Sequence, residues 1–384
     1  MVSDDSLRHM TDSPDVVIVG AGLMGAAAAW ALAQRGVAVL VLEQFEPDHV
    51  NGSSHGAARI VRRAYADRLY VNLTGRAFEL WDAVEAASGA SLIRLTGGLD
   101  FGPNRDLEAI AAHLAAAKVP AELLTAGDAE ARWPGMVFDG DVLFHPQAGT
   151  LDADAAIAAL LSLAGASGAE VRRWARVASI EPSASGATVI IEDGERISAR
   201  HVVVAAGAWV RELVGNLVTL PSIHVTQQQV FHFPRQAPDQ PPWPSTIHED
   251  ETAIYHLAGG GPQDDRKLGE HVTRGLPTTA DARSFTVDPG ARARAINYVR
   301  RWLPGLSPEP RDAATCLYTT TPSEDFIVDR VGPLVVCSPC SGHGAKFAPL
   351  IGEFVASLII GQDGVPSRFS LAAHLAGQTG PVSL

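Results

Sequence analysis

Gly20, Gly22 and Gly25 fall on the spacing G-x-G-x-x-G, directly after the apolar run Val16-Val17-Ile18-Val19. A short β-branched run of this kind reads as a buried parallel strand. Gly20 permits the tight turn, Gly22 lets a pyrophosphate approach the backbone, and Gly25 lets the next helix pack on the strand. That helix is expected over Met24 to Arg35, stopped by Gly36, with its N-terminal N–H groups and dipole turned to a phosphate. A second strand, Val37 to Leu42, ends in Glu43, whose carboxylate can hold ribose hydroxyls and repels a 2′-phosphate. A glycine-rich turn also occurs in ordinary α/β units. Strand, glycines, helix, strand and terminal acid in this order point to FAD or NAD.

Other chemistry-bearing residues are less tied to their spacing. Arg59 and Arg62 lie three residues apart with Arg63 beside them, and a planar guanidinium binds carboxylates bidentately. The same spacing fits a solvated basic face. The cysteines are Cys316, Cys337 and Cys340. A thiol reacts only as thiolate and so needs a positive neighbour, whereas a buried cysteine behaves as a small hydrophobe. Cys337 and Cys340 with His343 resemble half a zinc site, but no second pair lies at suitable spacing, so no metal is expected and a turn after a strand is the better reading.

These residues need two units to position them, since 384 residues exceed one usual domain. Hydrophobic residues make up 46% of the chain and charged ones 19%, which supplies a sizeable core and excludes global disorder. The net charge of −13 argues against nucleic acid and anionic lipid as partners. Sparse, odd-numbered cysteines fit a reducing, cytoplasmic setting, and no apolar run reaches membrane-spanning length. Residues 1–10 read as an appended or disordered tail, with Met10 as the native start.

Gln44 to Arg63 is a loop around Asn51-Gly52-Ser53-Ser54-His55-Gly56, and long ordered loops carry function. Helices are expected over Leu73 to Ala87, Asp106 to Ala117, Leu151 to Ala164, Ala291 to Trp302 and Leu350 to Ile360. Strands are expected in Ser91 to Phe101, Val171 to Ile180, Ala187 to Ile191, Arg196 to Ser198 and Leu334 to Val336, and His201 to Trp209 reads as a buried strand ending in small residues and opening a helix. Pro221 to Thr286, with strands such as Thr252 to Leu257, suggests an antiparallel sheet. The fold expected is two-domain α/β. A Rossmann-like nucleotide domain spans 11–88, 150–220 and 317–384, and a catalytic domain on a mixed or antiparallel sheet spans 89–149 and 221–316. The cleft between them is the default site.

Five segments in order resemble the monomeric sarcosine oxidase and N-methyltryptophan oxidase family, within the glycine oxidase and D-amino acid oxidase flavoproteins. They are the glycine fingerprint, Asn51 to Tyr65, Lys267 to His271, Cys316-Leu317-Tyr318 with Thr321-Pro322, and Ser341 to Phe347. The similarity runs from Asp15 to Ser370. It implies a monomer with FAD carried covalently by Cys316, contacts from Ser54, His55, Val177, Ala206 and Gly207, and Gly342 and Gly344 at the flavin pyrimidine edge. It places Arg59 over the flavin ring, Arg62 and Lys346 on the substrate carboxylate, and Lys267 near flavin N5, where a fixed cation favours reaction with O2. His271 in the same motif orients the substrate or modulates amine protonation, or is simply a hydrogen-bonded structural histidine. His256 stands where the family carries a pocket tyrosine, and Ala58 replaces a hydroxyl residue, so a changed amine pocket is expected. The activity implied is oxidation of an amino acid or N-methyl amino acid, O2 going to H2O2 and the imine hydrolysing in water. A dehydrogenase of the same fold with another acceptor, or a dinucleotide-binding redox sensor without turnover, are the alternatives.

Overall fold

The structure is a computed structural model that describes residues 13–237, 241–260, 265–271 and 275–377. The tail expected over 1–10, and part of the proline-rich run 234–244, lie outside the described residues.

The first run forms the strand Val16–Val19 at the middle of a six-stranded sheet. Its neighbours are Val39–Leu42 and His201–Val204, both parallel to it. Glu170–Arg172 closes one edge in parallel, and Leu334–Ser338 followed by the antiparallel strand Ile327–Val331 closes the other. The run is apolar throughout because both of its faces are covered. Val16 and Ile18 meet a helical layer, whereas Val17 and Val19 meet a small antiparallel sheet of Val177–Ser183, Gly186–Ile191 and Arg196–Ala199. Within the helical layer Leu23–Ala33 lies between Ala153–Ala166 and Ala348–Ile360, and its six alanines are nearly all without solvent contact. Small side chains let these three backbones approach closely.

A nine-stranded sheet stands opposite. In order it contains Leu276–Pro277, His224–Pro234, Asp265–Glu270, Ala253–Ala258, Ser245–Glu249, Gly98–Phe101, Val142–His145 and Glu122–Leu124, with Asp312–Thr320 also paired to His224–Pro234. It is antiparallel except where Ser245–Glu249 runs parallel to Gly98–Phe101, so it is mixed. Alternation along the strands divides its faces. Phe231, Phe233 and Leu268 pack under the helix Pro289–Trp302, while Val230, His232 and Lys267 face a cavity. The strand Asp312–Thr320 is continuous through Cys316 and Leu317, so the boundary expected there falls inside a paired strand.

Part of the stretch expected to be loop is ordered differently. Arg59–Arg62 is a strand paired to Ala148–Leu151, which in turn pairs with Ile93–Leu95. Beyond it Arg68–Ser88 is a long helix, capped by the Asp67 carboxylate and ended by Gly89 in the left-handed region.

Candidate active site

Between the two large sheets lies a cavity of ≈ 910 Å³. Its floor is the glycine turn. Gly20 has φ +101°, and a Cβ there would stand 2.7 Å from the Ala205 carbonyl oxygen. A Cβ on Gly25 would lie 1.8 Å from the Gly20 carbonyl oxygen, so turn and helix close only with glycine at both positions. Gly22 stays open to the cavity, near the Ser54 hydroxyl, which accepts the Leu23 N–H at 3.2 Å. Glu43 is buried at the strand end; its two oxygens accept the N–H groups of Ala21 at 2.8 Å and Phe45 at 3.1 Å. Each carboxylate oxygen keeps a second lone pair for a hydroxyl. Val177, Ala206 and Gly207 line the same end.

Cations gather above this floor. The Arg59 guanidinium donates to the carbonyls of Ala58 (2.9 Å), Ser53 (3.0 Å) and His55, and no carboxylate pairs with it among the described residues. Lys267 donates to the Ala58 carbonyl at 2.9 Å; burial, then Arg59, lowers its amine to about 7. Burial, followed by Arg59, Arg283 and Lys267, holds His55 down at about 3, and its buried Nε2 has no hydrogen-bond partner among the described residues. An open glycine cradle at a helix N-terminus, an acid at the ribose position and unneutralised cations fit an anionic dinucleotide.

Cys316 lines the cavity, half-buried, on the strand Asp312–Thr320, which pairs with His224–Pro234 at the edge of the sheet. Arg283 donates to the hydroxyl of the preceding Thr315 at 3.1 Å and to the Val50 carbonyl at 2.7 Å. Burial pushes the thiols of Cys337 and Cys340 up, the latter to about 11. His343 turns to neither cysteine: its Nε2 donates to the Glu324 carbonyl at 3.0 Å and its Nδ1 faces the Tyr65 hydroxyl at 3.3 Å.

Tyr65 is also where two distant cations meet. Arg62 lies with its Cζ 4.2 Å above the Tyr65 ring, and Lys346 Nζ donates to the Tyr65 hydroxyl at 3.0 Å and to the His343 carbonyl at 2.7 Å. Because His343 Nε2 is the donor to a carbonyl, Nδ1 must accept, so the Tyr65 hydroxyl donates to it and accepts from Lys346. Burial raises Tyr65 to about 12, which keeps it neutral. Arg62 has one carboxylate nearby, Asp100 at 3.9 Å, and that oxygen is already bound by Arg105. Lys346 has no carboxylate partner among the described residues, and burial, then Arg62, lowers its amine well below the usual lysine range. Both cations line the cavity, so an anion arriving there relieves their repulsion.

His271 lines the cavity with its Nε2 3.6 Å from a Glu324 carboxylate oxygen and its ring 5.4 Å from that of Tyr318. Gly342, at φ +75°, sits against these two rings, and Gly344 lines the same wall.

His256 is not in the pocket. It pairs in register with Leu268, on the sheet face that packs on the helix, and is fully buried. Its Nδ1 accepts from Arg266 at 2.8 Å. The residue facing the cavity is Tyr255, opposite Gly269, hydrogen-bonded to Tyr318. The pocket therefore keeps a tyrosine on this strand, and the altered amine site inferred from His256 falls away. Replacing His256 by leucine should leave the relative kcat/KM for competing substrates unchanged. It should lower the melting temperature, since removing an acceptor from buried Arg266 costs about 1–3 kcal/mol; a specificity change without loss of stability would contradict this placement.

Tyr65, Tyr255, Tyr318, His343, Arg283 and His232 were not singled out as site residues from sequence. The period-2 alternation from Cys316 could have found Tyr318, two residues on along the same strand.

Residues 15–358 match the family described as DAO, FAD dependent oxidoreductase. Monomeric sarcosine oxidase from Bacillus sp. (strain B-0618) is 32% identical over 90% of this chain and 92% of its own. N-methyl-L-tryptophan oxidase from Yersinia pestis (strain Pestoides F) is 32% identical over 93% of this chain and 98% of its own. Among solved structures NikD, described as an unusual amino acid oxidase essential for nikkomycin biosynthesis, superposes with TM-score 0.83 at 27% identity, covering 97% of this chain and 99% of NikD. Glycine oxidase from Geobacillus kaustophilus shares the fold, with TM-score 0.77 at 21% identity, covering 93% of this chain and 98% of the other. A glycine cradle, a ribose acid and a cation-lined cavity thus coincide with a match along most of the chain: this protein belongs to the DAO family of FAD dependent oxidoreductases.

Proposed function

We propose that the protein oxidises a small amino acid or N-methyl amino acid at its C–N bond, with O2 as acceptor and H2O2 as product. The observation that carries this reading is the meeting of Arg62 and Lys346 at Tyr65, inside the cavity. A sensor without turnover has no need of a carboxylate clamp beside the cofactor. Anaerobic mixing with a panel of amino acids, N-methyl amino acids and matched amines tests it. Amino acids should bleach the flavin absorbance and amines should not; a panel in which no amino acid bleaches it contradicts the reading.

Bound FAD supplies the acceptor for a hydride equivalent. The glycine turn, Ser54 and His55 would hold its phosphates, and Glu43 its ribose. Arg62 and Lys346 bind the substrate carboxylate and so fix which carbon faces the reacting centre. Tyr255, Tyr318 and His271 form the wall on the amine side. Lys267 provides a buried cation on the oxygen side. The protein acts as a monomer, as the name of its sarcosine-oxidising relative suggests.

Cys316 Sγ would carry the FAD through a thioether. Support comes from the position of this thiol on the cavity wall, directly after Thr315, whose hydroxyl and carbonyl both accept from Arg283. Wild-type protein precipitated with acid should keep its yellow colour, and Cys316→Ala should release all flavin to the supernatant. A colourless wild-type pellet excludes the bond.

A further inference from the structure

One titratable group in the cavity wall has no part in the scheme above. His232 lies on the strand His224–Pro234, directly opposite Lys267 in the antiparallel register. Opposed residues share a face with Cβ atoms about 4.5–5.5 Å apart, and both side chains line the cavity. Two residues before Lys267, on the same face, stands Asp265, which is 2% exposed. Its Oδ2 lies 3.1 Å from His232 Nδ1 and also accepts from Arg311, while its buried Oδ1 has no hydrogen-bond partner among the described residues. The carboxylate thus holds the proton of the neutral imidazole on Nδ1 and leaves Nε2 as the acceptor. The His232 side chain is 20% exposed, whereas Lys267 is buried. An oriented, partly exposed imidazole and a buried amine thus share one face of the sheet, both on the cavity wall. Around the imidazole are Asp265, Arg311, Lys267 and, in register on the outer strand, Asp312.

We propose that His232, positioned by Asp265, relays solvent protons to Lys267 during oxygen reduction. The inference rests on the oxidase reading. Reducing O2 to H2O2 takes two electrons and two protons. A reduced flavin supplies both electrons and one proton, so the second proton comes from solvent. It binds first at His232 Nε2; that N–H bond then breaks as one forms at Lys267 Nζ, which had given its own proton to the reduced oxygen. No electron passes through the relay, and water restores the proton on His232.

The test uses holoenzyme reduced with dithionite, so no amino-acid substrate is needed, and follows its reoxidation by O2. His232→Ala should slow this step about 10²-fold, within the usual contribution of a positioned acid–base group. Millimolar imidazole should restore much of the rate in His232→Ala and none in Lys267→Met. His232→Gln, which keeps an N–H donor for Asp265 but has no group that takes up and releases a proton, should be slow in the same way. Nitrogen-15 NMR of the resting enzyme should show the neutral His232 ring protonated on Nδ1, and Asp265→Asn should lose that tautomer. Unchanged reoxidation in both variants, a deficit that imidazole does not relieve, or a wild-type ring protonated on Nε2 each overturns the relay alone. Wild-type enzyme that O2 does not reoxidise overturns the oxidase reading and the relay with it.

Discussion

Replacing Arg62 or Lys346 by alanine is expected to lower kcat/KM for amino acids by roughly 30-fold to several thousandfold. Truncating one partner of a buried charge pair costs about 2–5 kcal/mol, which is that range. The effect should be large because both cations are more than nine-tenths buried and neither has a carboxylate to itself. Arg62→Lys should recover only part of the loss, since an ammonium lacks the planar fork. Carboxylate inhibitors should perturb the flavin spectrum of the wild type and lose that effect in the double variant. Simple amines should be poor substrates for the wild type and should distinguish little between it and the variants. Amines oxidised as fast as their amino-acid counterparts would remove the clamp from the mechanism.

Lys267→Met should slow the oxygen half-reaction about 10²–10³-fold, the usual cost of removing one preorganised charge-stabilising group. The anaerobic half-reaction with substrate should change far less, because Lys267 bonds to the Ala58 carbonyl and not to the carboxylate clamp. Stopped-flow measurement of the two half-reactions separates these outcomes, and equal slowing of both would give the lysine another role. The same residue shapes stability. Its folded value of about 7 lies below the ordinary 10.5, so the unfolded chain holds the extra proton between those values. Ligand-free protein therefore gains stability as pH rises through that window, and carries the full cost of the buried charge below it. Lys267→Met should flatten this rise in thermal melts.

The nucleotide floor was legible because its parts are contiguous: Val16 to Glu43 carries strand, turn, helix, strand and acid with no long-range partner to infer. The clamp was not legible from spacing. Residues 62 and 346 share a site only because Arg59–Arg62 forms a strand beside the turn that holds Lys346, and the resemblance alone suggested it. The strand itself was hidden in glycine-rich surroundings that read as loop. His256 shows the cost of one residue of register in a sheet, where a single step exchanges pocket for core. The parallel pairing of Gly98–Phe101 with Ser245–Glu249 has no local signature, since the partners are far apart in the chain. His232 and Asp265 were likewise invisible, because their contact is diagonal across two strands whose pairing no short motif announces.

The alanine-rich helix Leu23–Ala33 is walled on both sides by helices that begin at Ala153 and Ala348. A ribosome releases the glycine turn early, the wall at Ala153–Ala166 before mid-chain and the wall at Ala348–Ile360 near the end. For most of synthesis the helix whose first turn must hold phosphate has an apolar flank open to water, and the sheet beneath it lacks the strand Leu334–Ser338. The dinucleotide fingerprint is consequently not an independent amino-terminal module. Its geometry is finished by the last quarter of the chain, which also brings Lys346 into the cavity, so completion of the glycine floor and arrival of the second buried cation are one event in the life of the protein.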